Sequence, residues 1–491
     1  MVYTDLRLSE KAIFHYKKGI ANYEKAHISV DGKLLLASMY MNMGLMYTYS
    51  GDIMQGIEYY NESLRHKPGY SLAYQNKLLD INYLSHKVDP LYIAKIHKQI
   101  DKCFKVVYKS WRDAPHLKDY KCKGENKKLR IGFMSGDFIC HPVSYFTSGI
   151  LDNLDQNTFE IYCYSTKVIK VDDRYPNCKW FCVKGAKAEV ILKLMVETHK
   201  LDILVDLSGN TGENRMDVLA LKPAPMIISM IGYPNTTGLS SVDYKLTDYY
   251  ADPKEAEEYY SEKLLRMGGS FLCYTPSTKN GQLPELEETG TKYTTFGCFN
   301  RFNKLSDTTV ETWCEILNSV KDSRLVLKTK EFASEEIVAR LTNVIDNYEK
   351  QTGNKVSHKI ELLDYKDTYD DHLLDYNKID IALDTFPYAG TTTTCEALMM
   401  GVPVVTLRDA KTHVHAQNVG YSILSNCGLQ SYVTETRKEY VELCVKLADT
   451  AVKTSKSEIR SKFTKSIVYD KKRYAAELGE LLVKGYRELF K

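Results

Sequence analysis

The sequence predicts an α/β chain in which two parallel-sheet units follow a short α-helical repeat region. Three observations carry that reading. From Leu129 onward, short apolar runs alternate with helical segments, the pattern of parallel strands joined by crossover helices. The run from Ile379 to Leu407 spells a complete strand–loop–helix–strand unit. Ahead of both, residues 37–70 keep the spacing of a 34-residue helical hairpin.

The hairpin comes first. With Ala37 as position 1, Tyr40, Met43, Gly44, Tyr47, Gly51, Gly56, Tyr60 and Pro68 fall where the repeat wants aromatic, apolar, small and turn residues. Gly44 and Gly56 should let two helices approach closely, and Pro68 should end the second. A weaker unit precedes it at Ala12, Tyr16 and Gly19. An array needs about three repeats to stand alone. Two readings therefore stay open: a protein-binding face, or a helical cap packed on the sheet part. The helical region is taken as 1–110, and a polar, Lys-rich linker (KDYKCKGENKK) as part of 111–128.

The first sheet unit, 129–285, contains LRIGFMSG (Leu129 to Gly136), FEIYCYS (Phe159 to Ser165), LDILVDLSG (Leu201 to Gly209) and MIISMIGYP (Met226 to Pro234) as strands. The turn-rich loop Pro223 to Gly238 is a rigid corner or a substrate wall, with the corner favoured. A polar connector, Lys279 to Tyr293, leads to the second unit, 286–491. There TTFGCFN (Thr294 to Asn300), RLVLKTK (Arg324 to Lys330) and KIELLD (Lys359 to Asp364) precede the Ile379–Leu407 unit. Two units of this kind suggest a two-lobed enzyme with a cleft. In open sheets, ligands sit outside the carboxyl ends of the strands, so chemistry is sought in the loops that follow them.

Bulk properties exclude several classes. A net charge of +3 over 491 residues is no nucleic-acid signature. Met1 to Lys18 shows no apolar leader, and no apolar run approaches the roughly 18 residues of a membrane span, so no membrane association is expected. The twelve cysteines form no CxxC pair, the closest being Cys178 and Cys182, and are expected to stay reduced. No His/Cys cluster has metal-ligand spacing, and His413 and His415 have the i,i+2 spacing of a strand.

Candidate residues follow from the strand ends. After the first strand, Asp137 and His141 stand four apart, with Pro142 stiffening the loop; His141 is a base or sugar-binding group, or a structural His. Ser208, Gly209 and Asn210 after the third strand permit close approach of a ligand. In the second unit, Asn300, Arg301 and Lys304 follow a strand, where a cation could neutralise a diphosphate. Thr391, Thr392 and Thr393 open a helix whose N–H groups and dipole favour an anion, against the alternative of an ordinary Thr cap. Glu396, just inside that helix, could take two ribose hydroxyls. His372 and His415 lie in loops able to line the cleft. Together these are the requirements of a nucleoside diphosphate.

SGDFICHPVSYF, KPAPMIISMIGYPNTTGLSSVDYKLTD, YSEKLLRMGGSFLCYTP, FGCFNRFNKLS, LDTFPYAGTTTTCEALMMGVPVVTL and HVHAQNVGYSILSNCGL resemble, in order, the catalytic region of the O-GlcNAc transferase/SPINDLY family. SLAYQNKLLDINY resembles its join to the repeats. The resemblance implies tetratricopeptide repeats followed by a two-lobed, Rossmann-like GT-B glycosyltransferase, inverting and metal-independent. It implies a nucleotide-sugar donor and Ser/Thr acceptors on cytoplasmic or nuclear proteins. At matching positions it makes His141 the histidine at sugar and acceptor, and Lys304 the lysine on the diphosphate. Thr392 and Thr393 become phosphate ligands, Glu396 the ribose carboxylate, and His372 a histidine near base or ribose. Arg301 departs from the usual Gln or Asn, and Asn210 from His or Tyr. The repeat region is shorter than in plant or animal members, which bears on acceptor range and leaves a homodimer as an open expectation.

The strings are closest to SPINDLY-type members. The expected reaction is therefore O-fucosylation from GDP-fucose, with O-GlcNAc transfer from UDP-GlcNAc as the alternative. A non-catalytic repeat scaffold and a sugar-nucleotide epimerase are weaker readings. In the expected step an acceptor hydroxyl attacks the anomeric carbon in line. Lys304 and the Thr391–Thr393 helix start hold the leaving diphosphate without a divalent ion, and His141 orients or deprotonates the acceptor, positioned by Asp137.

Overall fold

The computed structural model describes residues 9–25, 30–124, 127–139, 141–169, 175–287, 292–449 and 455–491. Parts of the N-terminal stretch (1–8), the linker (125–126) and the connector (288–291) lie outside the described residues, as does Cys140. The chain divides into two compact units. One comprises the described residues up to Thr247 together with Ala256–Met267 and Ala475–Lys491; the other comprises Asp248–Glu255 and Gly268–Tyr474.

The first unit opens with helices Ser9–Lys25, Val30–Tyr49, Ile53–His66 and Ser71–Asp80. The predicted hairpin is the second and third of these. Asp52 caps the third by accepting the Gln55 N–H, and the helix stops at Lys67, one residue before Pro68. Gly44 and Gly56 meet where the helices cross: a Cβ on either would fall within 3 Å of the other's carbonyl oxygen. Larger residues there would push the helices apart.

The unit's sheet is built from β1 (Leu129–Ser135), β2 (Phe159–Ser165), β3 (Cys178–Cys182), β4 (Ile203–Asp206), β5 (Met226–Ser229), β6 (Tyr244–Asp248) and β7 (Lys263–Met267). Its order is β3-β2-β1-β4-β5-β6-β7, with β1 through β6 pairing in parallel. The order reverses between β1 and β4, and there the crossovers leave room for a ligand. One core joins Tyr74, Leu78, Ile81, Ile93, Ile96 and Ile100 of the helical segment to Met134, Tyr164, Leu204 and Ile227 of the sheet. This segment is therefore continuous with the sheet's core, in line with the helical-cap reading.

The second unit repeats the plan. Its strands are β8 (Thr294–Cys298), β9 (Ser323–Lys328), β10 (Ile360–Leu363), β11 (Ile381–Leu383), β12 (Val404–Leu407) and β13 (Val433–Thr434). They run parallel in the order β10-β9-β8-β11-β12-β13, reversing between β8 and β11. Numbered locally, both sheets read 3-2-1-4-5-6, the doubly wound order of a Rossmann-like GT-B fold. No helix among the described residues is long and apolar enough to cross a membrane.

Candidate active site

In the second unit the loops after β8 and β11 meet. Lys304 ends a short 3-10 turn, Phe302–Lys304, just past β8. Its Nζ donates to the carbonyl of Ala389 at 2.7 Å and lies 4.3 Å from the centre of the Tyr388 ring. Burial lowers the lysine to about 8, against the opposing pull of Asp384. Such a cation is poorly compensated and gains from an incoming anion. Arg301 is exposed at the start of the same turn.

Ala389 also donates its N–H to Ala416 O at 2.9 Å, in the first turn of the helix His415–Asn426. The loop before Thr391 is thus pinned between Lys304 and a second helix start. The Thr392–Met399 helix follows, one residue later than expected, with Thr391 at its N-cap. Thr391 makes no side-chain capping bond, so the ordinary Thr-cap alternative does not describe this end. Thr393 Oγ1 instead donates to Asn300 Oδ1 at 2.8 Å, linking the helix start to the β8 loop. An open helix start beside an ammonium group can hold a phosphate.

One turn further, Glu396 is 3% exposed. His372 Nε2 lies 3.0 Å from its Oε2, and the Tyr376 hydroxyl donates to the same oxygen at 3.2 Å. Phe299 closes this corner, its ring centroid 4.7 Å from Tyr376 and 6.0 Å from His372. Lys328 Nζ lies 4.2 Å from the Phe299 ring, pairs with Asp375 at 2.8 Å and donates to His372 O at 3.2 Å. Lys328 was not singled out in the sequence, where it is simply the last residue of a strand. Asp384, buried beneath the Lys304 loop, was likewise missed, since an Asp before Pro and Gly looks like turn chemistry.

His415 is placed differently from expectation. It begins a helix instead of lying in a loop, and is only 5% exposed. Its Nδ1 lies 2.6 Å from Asp252 Oδ2, with Phe271 packed edge-on against the ring. His413, two residues earlier, adopts a positive φ of 52° just ahead of that helix. Among the described residues, no group of three or more His, Cys, Asp or Glu side chains could hold a metal ion.

The first unit has its own cluster at the reversal point. Asp137, 7% exposed, accepts from Lys167 Nζ at 2.7 Å. His141 caps the Pro142–Asn153 helix: the Val143 N–H points at its Nδ1 at 3.3 Å. Asp137 Oδ2 lies 3.6 Å from the same nitrogen. The two contacts compete for one atom. The backbone N–H can only donate, and 3.6 Å is too long for a hydrogen bond, so Nδ1 is the acceptor and the neutral ring carries its proton on Nε2. Beyond β4, Asp206 accepts the N–H groups of Ser208 and Gly209, and burial raises it to about 6. Asn210 Nδ2 donates to Thr237 O at 3.0 Å, while Asn210 Oδ1 and Ser208 Oγ are buried without a partner.

The turn-rich loop beside them is a rigid corner. Glu262 accepts from the Thr237 N–H at 2.8 Å and the Thr236 hydroxyl at 2.5 Å, and Asn235 donates to Asn82 of the helical segment at 2.8 Å.

This chain resembles known proteins along most of its length. It is 34% identical over 443 residues, 87% of this chain and 45% of the relative, to the probable UDP-N-acetylglucosamine–peptide N-acetylglucosaminyltransferase SPINDLY of Solanum lycopersicum. Its identity to the like-named protein of Arabidopsis thaliana is 37% over 393 residues, 78% of this chain and 41% of that one. The chain spans about half the length of the curated relatives it matches. Among solved structures, a lysine-to-methionine variant of the O-GlcNAc transferase of Thermobaculum terrenum superposes with a TM-score of 0.80 at 28% identity, over 97% of this chain and 90% of that one.

These matches support the GT-B architecture and correct one expectation. GDP-fucose was the expected donor, yet the relatives' names carry UDP-N-acetylglucosamine and the solved neighbour is an O-GlcNAc transferase. The strings that suggested fucose, DTFPYAGTTTTCE foremost among them, contain no residue assigned to the sugar. Residues 81–278 and 281–478 match the model of glycosyl transferase family 41, and the chain belongs to that family.

Proposed function

We propose that this chain transfers N-acetylglucosamine from UDP-GlcNAc to Ser/Thr hydroxyls of proteins, with inversion and without a metal cofactor. The observation that carries the proposal is the convergence of Lys304, the uncapped Thr391–Thr393 helix start and the Glu396–His372 pair in one unit. An ammonium and a helix N-terminus stabilise a departing diphosphate, the charge compensation a divalent ion supplies elsewhere. Glu396 would take the ribose hydroxyls, with His372 and Tyr376 fixing its orientation. Arg301 would reach the phosphates from the surface. His415, buried against Asp252, would support the second helix start and not touch the donor.

His141 is assigned to the acceptor. With its proton on Nε2, the ring would donate a hydrogen bond and orient the hydroxyl or sugar, and the acceptor's proton would pass to an oxygen of the departing diphosphate. Asp137 would act through Lys167 to hold the loop. The family reading also points to cytoplasmic or nuclear acceptors. Fractionation of cells expressing the chain would test the compartment.

The decisive experiment offers UDP-GlcNAc and GDP-fucose separately. At about 100 times its dissociation constant, a bound donor should add roughly 2.7 kcal/mol of stability. Stabilisation by UDP-GlcNAc, together with mass addition of N-acetylhexosamine to a Ser/Thr peptide, is expected. Stabilisation and transfer with GDP-fucose alone would overturn the donor assignment.

A further inference from the structure

We propose that Asp384 is the positioning residue of the diphosphate site: its carboxylate locks the loop from Phe386 to Gly390 and is the counter-charge to Lys304, without itself touching the ligand. The inference deepens the donor reading above and rests on it for the identity of the ligand.

Asp384 directly follows β11 and is 2% exposed. Its Oδ1 accepts the backbone N–H groups of Thr385 at 2.9 Å and Gly390 at 2.6 Å. Its Oδ2 accepts the hydroxyl of Thr406, on β12, at 2.8 Å. Its own carbonyl accepts the Tyr440 hydroxyl at 3.0 Å. One side chain therefore ties the loop's last residue back to Thr385, just ahead of the loop, and to the neighbouring strand. Gly390 has no slack: a Cβ there would lie 2.7 Å from Thr393 Oγ1 and 3.1 Å from Asp384 Oδ1. Between the tied ends stands Ala389, the anchor of Lys304 Nζ. Releasing Gly390 would move the lysine's anchor and the helix start together.

The groups facing Lys304 are Asp384, Arg301 and the Cys298 thiol, with the Tyr388 ring beside it. Those facing Asp384 include Lys304, Cys298 and Tyr440. Burial pushes Cys298 up to about 12 and Tyr440 well above its ordinary range, so neither is an anion at neutral pH. Asp384 is the counter-charge in this group. Burial raises it to about 6 and lowers Lys304 to about 8, so both are ionised in the window between. Below the window the carboxyl is neutral, and above it the ammonium is lost.

Asp384→Asn separates the two roles. The amide Oδ1 can still accept from Thr385 and Gly390, and the Thr406 hydroxyl can turn to accept from Nδ2. Only the charge goes. Trace labelling of Lys304 with an amine-reactive reagent across pH 6.5–9.5, read by peptide mass spectrometry, should show its midpoint roughly one pH unit lower in the variant. Binding of UDP-GlcNAc to the variant should match the unaltered chain at pH 6 and be roughly fivefold weaker at pH 8. Asp384→Ala should lose affinity at both pH values, because the loop is released as well. An unchanged labelling midpoint in Asp384→Asn would overturn the charge role, and normal affinity of Asp384→Ala at pH 6 would overturn the loop role. A shifted midpoint in a protein that binds no UDP-GlcNAc would instead sink the donor reading and leave Asp384's hold on Lys304 standing.

Discussion

The two sheets share a strand order, and their carboxyl ends carry different chemistry. In the second unit, a buried Lys304, an uncapped helix start and the buried Glu396–His372 pair lie along one loop and helix. In the first, His141 is held as a hydrogen-bond donor, Asp137 is neutralised by Lys167, and the neighbouring loop is tied down by Glu262 and by the helical segment. The same topology thus carries a buried ammonium and an uncapped helix start at one sheet's end and a tightly tied loop at the other's. Topology fixes where a ligand can sit; the loop residues fix which ligand.

The strongest way to break this contrast is Lys304→Ala. If the second unit's end is a diphosphate grip, turnover on a peptide acceptor should fall about 10²- to 10³-fold, as for removal of one leaving-group donor. The melting temperature should hold or rise, since the ammonium is lowered by burial and its charge opposes folding. A fall in stability at full turnover would make the lysine structural.

The first unit should instead answer to acid. His97 is fully buried, with Nδ1 2.8 Å from Ile93 O and Nε2 2.6 Å from the Tyr233 hydroxyl of the corner loop. Burial lowers it to about 4 from an ordinary 6.5. Its folded form thus resists a proton that the unfolded chain accepts. The stability it contributes is present above pH 6.5 and lost as the pH falls toward 4, by up to roughly 3 kcal/mol. Denaturant titrations at pH 7 and pH 4.5 should show that loss, and His97→Gln should reduce it. An equal acid loss in the variant would clear His97 of the effect.

Glu396→Gln sharpens the second unit again. It removes a charge from bonds to His372 and Tyr376, and charged hydrogen bonds contribute about 1.5–3 kcal/mol. Calorimetry with UDP should show affinity reduced roughly 10- to 100-fold. Unaltered affinity would remove Glu396 from the ribose contact.

Much of this was legible beforehand because parallel strands buried on both faces are written as unbroken apolar runs. β1, β2, β8 and β9 lie within a residue or two of the expected strings. The strands missed are of another kind. β3 is a half-exposed edge strand with a lysine, β6 and β7 carry charged residues, and β13 is two residues long. The site was legible where residue type and position past a strand were enough, as for Lys304, Thr391 to Thr393 and Glu396. It was not legible for Asp384 and Lys328, whose roles come from burial against segments distant in sequence. Nor was the donor sugar, where the relatives' names overturned the expectation.

Ser208 gives the smallest expected effect and the finest test of the first unit. Its hydroxyl is buried without a partner one residue past Leu207, beside the equally orphaned Oδ1 of Asn210. An unpaired buried hydroxyl costs folding free energy, so a protein with no use for it should gain from its removal. Ser208→Ala changes shape little and should raise stability by up to about 1 kcal/mol. If the β4 end serves a ligand, the same variant should slow transfer a few-fold while leaving UDP affinity unchanged. Gained stability with unaltered transfer would reduce this end of the sheet to a packing corner. Gained stability with slower transfer would identify an unsatisfied group that a substrate completes.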